Sequence, residues 1–153
     1  MPSSTDRLEK KVLLHAPRAR VWRAMATRKE FGRWFDVDLD REFEPGVEVR
    51  GTFHAKEHEG IRWQMWIEEV VAERRLSFRW HPYAIDPKVD YSSEPTTLVV
   101  FELEDAPGGT LVTITESGFD SVPLARRAKA FEMNDGGWTE MSKRLAGHVD
   151  ATA

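Results

Sequence analysis

The sequence predicts an α+β fold in which a curved antiparallel sheet wraps one long C-terminal helix, with two short helices after the first strand. Three observations predict it. Apolar and polar residues alternate through most of residues 37–116, which is typical of strands with one wet face. Two short segments with helical spacing precede this region. From Ser121 to about residue 150, apolar residues recur at intervals of three and four, which indicates one face of a helix.

The predicted domain opens with a strand and two short helices. Residues 8–15 alternate in polarity and predict the strand. Pro17 suits the first turn of a helix, because the N–H that it lacks would have no partner there. Thr27 and Glu30 have the spacing of a capping box, which predicts the start of a second helix. The buried face of that helix would consist of Phe31, Trp34 and Phe35.

Six further strands follow, most of them separated by turns that contain Gly or Pro. The predicted strands are residues 37–43, 47–54, 61–68, 76–81, 96–104 and 110–116. The last two form a hairpin across residues 107–109. Residues 82–95 have no clear period and are rich in Pro, Asp and Ser. A loop of this kind inside a compact domain is usually functional or mobile.

The last segment predicts a helix with Ser121 as its N-cap. Its apolar stripe contains one charge, that of Asp135. Gly136 and Gly137 lie in the middle, where each costs ~1 kcal/mol relative to Ala, so the pair suggests a bend or a close approach to the backbone. The stripe consists of Leu124, Ala128, Phe131, Asp135, Trp138, Met141, Leu145 and Val149.

The composition excludes several classes of protein. The 153 residues include no cysteine, which rules out disulfides, thiolate catalysis and iron–sulfur clusters. A formal net charge of −4 gives no basic field for nucleic acid, and no apolar run approaches the ~20 residues of a membrane helix. Residues 1–7 are polar and lack the core of a signal peptide. We therefore expect a single domain at residues 8–150, a flexible segment at residues 1–7 and a cytoplasmic location.

Two patterns that resemble metal sites do not predict one. His54 and His58 are four residues apart, but on a strand and a turn, where their side chains need not converge. The alternating aspartates of residues 36–40 imitate the start of a calcium loop, yet Arg41 replaces its glycine and Val47 its glutamate. We interpret them as surface residues and expect no metal and no cofactor.

Several short motifs occur in an order that covers nearly the whole chain. They are Ala16-Pro17 with Val21-Trp22, Trp34-Phe35, residues 76–80, Gly109-Thr110, residues 116–119 and Gly137-Trp138. With the order of elements, they resemble the helix-grip fold of the START/SRPBCC superfamily. Within it, the chain resembles bacterial homologues of the heat-shock chaperone ATPase activator (AHSA-type) family, a group linked to the stress response. Fold does not determine chemistry, so the ligand and partner stay open.

The resemblance implies a cavity between the sheet and the last helix. Six tryptophans are many for this length, which indicates a large core or an apolar pocket, and the sequence does not distinguish the two. The expected lining residues are Trp63, Met65, Phe78, Trp80, Phe101 and Ile114 from the sheet, and Phe131, Trp138 and Met141 from the helix. Glu116 and Asp135 would add carboxylates that hold a polar ligand end or transfer protons. The alternative is that both are paired or solvated.

Three functions are compatible with this reading. The leading hypothesis is a protein that binds a small, largely apolar ligand in the cavity. The second is a protein-binding module similar to chaperone ATPase activators, with a chaperone or a second copy of the chain as its partner; this would require an exposed patch. The third is a cyclase- or hydrolase-like enzyme that uses Glu116 or Asp135. Neither nucleic acid nor a membrane is expected as a partner.

Overall fold

The computed structural model describes residues 5–54, 61–86 and 88–152. In chain order the elements are β1 (Arg7–Leu14), α1 (Arg18–Ala26), α2 (Arg28–Phe35), β2 (Val37–Leu39), β3 (Glu48–Phe53), β4 (Arg62–Val71), β5 (Arg75–Trp80), β6 (Thr97–Ala106), β7 (Gly109–Ser117), a 3₁₀ turn (Phe119–Ser121) and α3 (Leu124–Thr152). The first four residues of the segment expected to be flexible lie outside the described residues. Asp6 accepts hydrogen bonds from the backbone N–H groups of Gly118 and Phe119.

The seven strands form one antiparallel sheet in the order β1-β7-β6-β5-β4-β3-β2. The helix-grip fold expected from the sequence is therefore confirmed. Strands β2 to β7 pair in chain order, each with its neighbours along the chain, whereas β1 forms the far edge by pairing with β7. On β7 every second residue is buried, from Thr110 to Glu116. The predicted alternation is thus the alternation between the core face and the other face of the sheet.

The core lies between the sheet and the helices and is unusually aromatic. Helix α2 presents Phe31, Trp34 and Phe35 to it, as predicted, and all three are buried. Trp34 Nε1 donates to the carbonyl oxygen of Ala24 at 2.9 Å, which fixes α2 against α1. The Phe101 and Trp138 rings meet edge to face, 5.7 Å apart, so α3 packs directly on β6 through aromatic side chains.

The predicted capping box at Thr27 and Glu30 is wrong. Thr27 Oγ1 donates to the carbonyl oxygen of Arg23 at 2.7 Å instead of capping α2. Glu30 does not reach back to the N-terminus, because Arg20, Arg23 and His148 surround its carboxylate at 2.8–3.0 Å. Three cationic or hydrogen-bonding partners outcompete one backbone N–H.

Two predicted boundaries also need correction. The strand expected at residues 37–43 ends at Leu39, because the Asp40 carboxylate takes the Arg50 backbone N–H that a continuing strand would have used. Ser121 lies in the 3₁₀ turn, and α3 begins only at Leu124, just after Pro123.

The glycine pair of α3 has a different role from the one expected. Nothing lies within 4 Å of a Cβ built on either Gly136 or Gly137, so no group approaches the backbone closely at these positions. Helix α3 continues through both. The missing side chain at Gly137 instead leaves open space beside Trp138. Among the described helices, none is both long and apolar enough to cross a membrane.

Candidate functional site

Glu116 is a fully buried carboxylate on the core face of β7. The strand register brings Val99 opposite it and Trp80 opposite Thr97, so these residues gather at one end of the sheet. Oε2 accepts hydrogen bonds from Trp80 Nε1 at 2.7 Å and Thr97 Oγ1 at 2.5 Å. From α3, Trp138 Nε1 donates to Oε1 at 2.8 Å. Asn134 Nδ2 bridges both oxygens at 3.0 and 3.1 Å.

This carboxylate is satisfied by neutral donors alone. Burial raises the pKa of Glu116, while the hydrogen bonds from Thr97, Trp80, Trp138 and Asn134 oppose that rise. No ion pair with Lys, Arg or His is present among the described side chains. Such a carboxylate is unusual, because buried charges are normally paired.

An aromatic cleft lies on the other side of this cluster, between α2, β5 and α3. Its volume is about 150 Å³, and it is lined by Phe35, Trp80, Asn134, Gly137, Trp138 and Met141. A second cleft of about 190 Å³ shares Phe35, Trp80 and Asn134 with the first. The remaining lining residues of the second cleft are Phe53, Ile61, Trp63, Gln64, His81, Tyr83, Ala84 and Ile85.

The walls of the two clefts are held by ring contacts. The centroids of Trp80 and Trp138 lie 5.6 Å apart, and that of Phe35 lies 5.9 Å from Trp138. Trp63 packs edge to face on both Phe35 and Trp80, at 4.7 and 5.5 Å. Because each ring contacts at least two others, the wall is held in place by packing within the protein itself.

The segment between β5 and β6 covers one side of the second cleft and is tied to α3 by one arginine. Arg126 Nε donates to Glu94 at 2.8 Å, and its Nη1 donates to the carbonyl oxygen of Pro82 at 2.7 Å. The guanidinium also lies over the Tyr91 ring, 4.9 Å from its centroid. This loop, predicted to be functional or mobile, therefore contributes lining residues and is anchored at both of its ends.

The structure divides the predicted site residues into groups. Trp63, Trp80, Trp138 and Met141 line the clefts, and Glu116 lies directly behind them. Four others are fully buried core residues that line neither cleft: Met65, Phe78, Phe101 and Ile114. Phe131 packs on Phe119, 5.1 Å between centroids. The deeper residues of the predicted set thus form a filled core, and those nearer the surface line the clefts.

Asp135 does not join the cavity. Its Oδ1 pairs with Lys10 Nζ at 2.9 Å, and its side chain is 47% exposed. The neighbour Asn134 holds the position that we expected for Asp135. Helical spacing allows steps of three or four, and the face towards the clefts is Asn134, Trp138 and Met141 rather than the run through Asp135. The signal for Asn134 was present in the sequence, at three residues from Phe131 and four from Trp138.

The described residues contain no group of three or more His, Asp or Glu arranged to hold a metal ion. His54 lies between Asp38 and Asp36, with ring nitrogens 2.8 and 2.9 Å from their carboxylates. Hydrogen bonds to Asp38 and Asp36 raise the pKa of His54. Asp36 and Asp38, which the sequence analysis interprets as surface residues, thus have His54 as a partner. His58, the other half of the considered pair, lies outside the described residues.

Solved structures with the same fold exist. Protein NE0264 from Nitrosomonas europaea is 22% identical, with a TM-score of 0.77 over 100% of this chain and 99% of that one. Protein MLL2253 from Mesorhizobium loti is 20% identical, with a TM-score of 0.76 over 96% and 98%. The Aha1 dimer from Colwellia psychrerythraea is 13% identical, with a TM-score of 0.69 over 94% and 95%. At these identities the likeness shows the fold. No curated protein matches the sequence.

A family model matches residues 15–150, from just after β1 almost to the end of α3. It includes every residue of the Glu116 cluster and of the two clefts. The match supports a binding module in general, for a ligand or for another protein, and indicates no particular one. The chain belongs to the family described as Activator of Hsp90 ATPase homolog 1-like protein.

Proposed function

We propose that this protein binds a small, largely apolar molecule in the aromatic cleft and its continuation. The observation that carries the proposal is the open space beside Gly137, bounded by the rings of Phe35, Trp80 and Trp138. Ligand sites are typically concave and apolar, with a few polar groups that orient the ligand. A cavity of about 150 Å³ is large enough for a benzene-sized molecule, and the second cleft extends the available length.

One polar atom of a residue that lines both clefts remains unused and supports this proposal. Asn134 Oδ1 takes no hydrogen bond from any described residue, although Nδ2 is fully engaged. A bound molecule with an N–H or O–H group could donate to this oxygen.

The enzyme alternative has less support. A general base must lie within hydrogen-bond reach of the proton that it takes. Both oxygens of Glu116 are occupied, and the side chain has no exposed surface. Asp135 faces away from the clefts, in its ion pair with Lys10. The carboxylates that suggested catalysis are therefore not placed to touch a substrate.

The protein-binding alternative rests on the family match. Large apolar side chains exposed on the described surface come from separate elements, and isolated ones are normal. They are Leu13 on β1, Val71 on β4, Ile85 and Val89 on the loop before β6, and Leu124 and Met133 on α3. This distribution favours the cleft over a docking patch.

The glycine pair provides a matched test. Gly137→Leu would extend a side chain into the cleft, whereas Gly136→Leu would place the same side chain on the exposed part of the helix. Both replace a helical glycine with a better helix former, so both should be stabilised by up to ~1 kcal/mol. We expect an environment-sensitive apolar dye to quench tryptophan emission in the parent and in Gly136→Leu, and to lose at least about tenfold affinity in Gly137→Leu. Equal dye affinity in the two variants would contradict the proposed site.

A further inference from the structure

The charge of Glu116 lacks the partner that buried carboxylates normally have. Its four hydrogen-bonding groups are two indoles, a hydroxyl and an amide, all neutral. An isolated charge in a low-dielectric interior is costly, and the cost falls when a cation comes close. The neighbours donate to both carboxylate oxygens, so once Glu116 has lost its proton the cluster produces a negative potential at the base of the aromatic cleft.

The aromatic wall contributes potential of the same sign. The indoles of Trp80 and Trp138 lie between the carboxylate and the cleft, 5.6 Å apart and inclined by 30°. The face of an aromatic ring is negative and attracts cations, most strongly for Trp. Both indoles direct their positive N–H edges at Glu116. Their remaining surface and that of Phe35 form the cleft wall.

Asn134 supplies a directional acceptor at the same place. A carboxylate only accepts hydrogen bonds, so the amide must turn its Nδ2 towards Glu116. The orientation of the side chain is thereby fixed, and Oδ1 is left without a partner among the described residues. Asn134 lines both clefts, so a ligand N–H in either cleft has an acceptor within the wall.

The same features disfavour an anion. Neither Lys nor Arg occurs among the residues that line the two clefts. We propose that the cleft selects a protonated amine with an apolar group, whose ammonium N–H donates to Asn134 Oδ1 and whose charge lies against Trp80 and Trp138. This inference rests on the proposed function, because it names the chemical class of the ligand for that same cleft.

Three probes of nearly equal size test the charge preference directly. At neutral pH, 2-phenylethylamine is a cation, 2-phenylethanol is neutral and phenylacetate is an anion. Titration calorimetry with the intact protein at low salt should give an affinity order of amine, alcohol and acid, with the amine roughly tenfold above the alcohol. If the alcohol binds as tightly as the amine, the inference is wrong while the proposed function stands. If none of the three binds, both are wrong.

Two variants then locate the origin of the preference. Glu116→Gln and Asp135→Asn each remove one negative charge, the first behind the cleft and the second in the exposed ion pair with Lys10. Glu116→Gln should lower the amine-to-alcohol affinity ratio about fivefold or more, and Asp135→Asn should leave it unchanged. If Glu116→Gln does not fold, Asn134→Leu replaces it, and loss of its acceptor should lower the same ratio. The inference would be overturned if Asp135→Asn lowered the ratio as much as Glu116→Gln does. It would also be overturned if neither Glu116→Gln nor Asn134→Leu lowered the ratio.

Discussion

At the scale of single residues, the half-buried Glu30 and the buried Glu116 show how surroundings decide the behaviour of one chemical group. Glu30 lies among Arg20, Arg23 and His148, which outweigh the effect of burial and lower its pKa. Glu116 has only neutral donors, so burial prevails and its pKa is raised. The two carboxylates are therefore expected to change stability in opposite directions as pH varies.

The raised pKa of Glu116 predicts a loss of stability as pH rises. In the unfolded chain the carboxyl loses its proton near its ordinary value of 4.5, whereas the folded protein retains it to higher pH. Between those two values the folded state binds more protons, so the free energy of unfolding falls with increasing pH. In denaturant titrations across this range, the free energy of unfolding of the parent should fall relative to that of Glu116→Gln as pH rises. A constant difference would contradict the assignment.

At the scale of elements, the clefts depend on how three segments are held at one end of the sheet. Strand β5 supplies Trp80, α3 supplies Trp138, and the loop before β6 supplies Tyr83 and Ile85. The loop reaches its position through Arg126, whose guanidinium satisfies a carboxylate and a backbone carbonyl and lies over Tyr91. Arginine is suited to this task because its planar fork bonds and stacks simultaneously.

Removal of that guanidinium should free the loop without unfolding the sheet. We expect Arg126→Gln to lose about 1–2 kcal/mol of stability and to raise amide hydrogen exchange selectively in the loop between Trp80 and Thr97. Lys129→Gln removes the same charge from an exposed position on the same helix. It should change the free energy of unfolding by no more than about 0.5 kcal/mol and leave hydrogen exchange in the loop unchanged. Unchanged loop exchange in Arg126→Gln would show that the loop is held by other contacts.

The elements also show which features could be predicted from the sequence. Alternation of apolar and polar residues determines which face of a strand is buried, since a shift of one residue would reverse every side chain. The boundaries of the predicted strands from residue 47 onwards accordingly agree with the structure within about three residues. Helix α3 was equally visible, but its functional face was not. Steps of three and four both fit an apolar stripe, and the stripe read from the sequence runs through Asp135, whereas the residue that meets Glu116 on β7 is Asn134.

At the scale of the whole molecule, the helical layer is joined by contacts that no local pattern reveals. Glu30 on α2 receives Arg20 and Arg23 from α1 and His148 from the end of α3. Glu30 and His148 are 118 positions apart in the sequence. The sequence suggested a local cap for Glu30, because the spacing to Thr27 was visible and the distant arginine and histidine were not.

This cluster predicts the acid limit of the fold. Because the folded-state pKa of Glu30 lies below its ordinary value of 4.5, its stabilisation is present above that pH and is lost as pH falls through the lowered pKa. Glu30→Gln should cost about 1–3 kcal/mol at neutral pH, since it leaves the nearly buried Arg20 guanidinium without its counter-charge. Its destabilisation relative to the parent should shrink in acid. Glu132→Gln, an exposed change on α3, should neither lower stability at neutral pH nor alter how stability depends on pH. A parent and a Glu30→Gln variant that lose stability in parallel below pH 4.5 would show that the three helices are held together by packing alone.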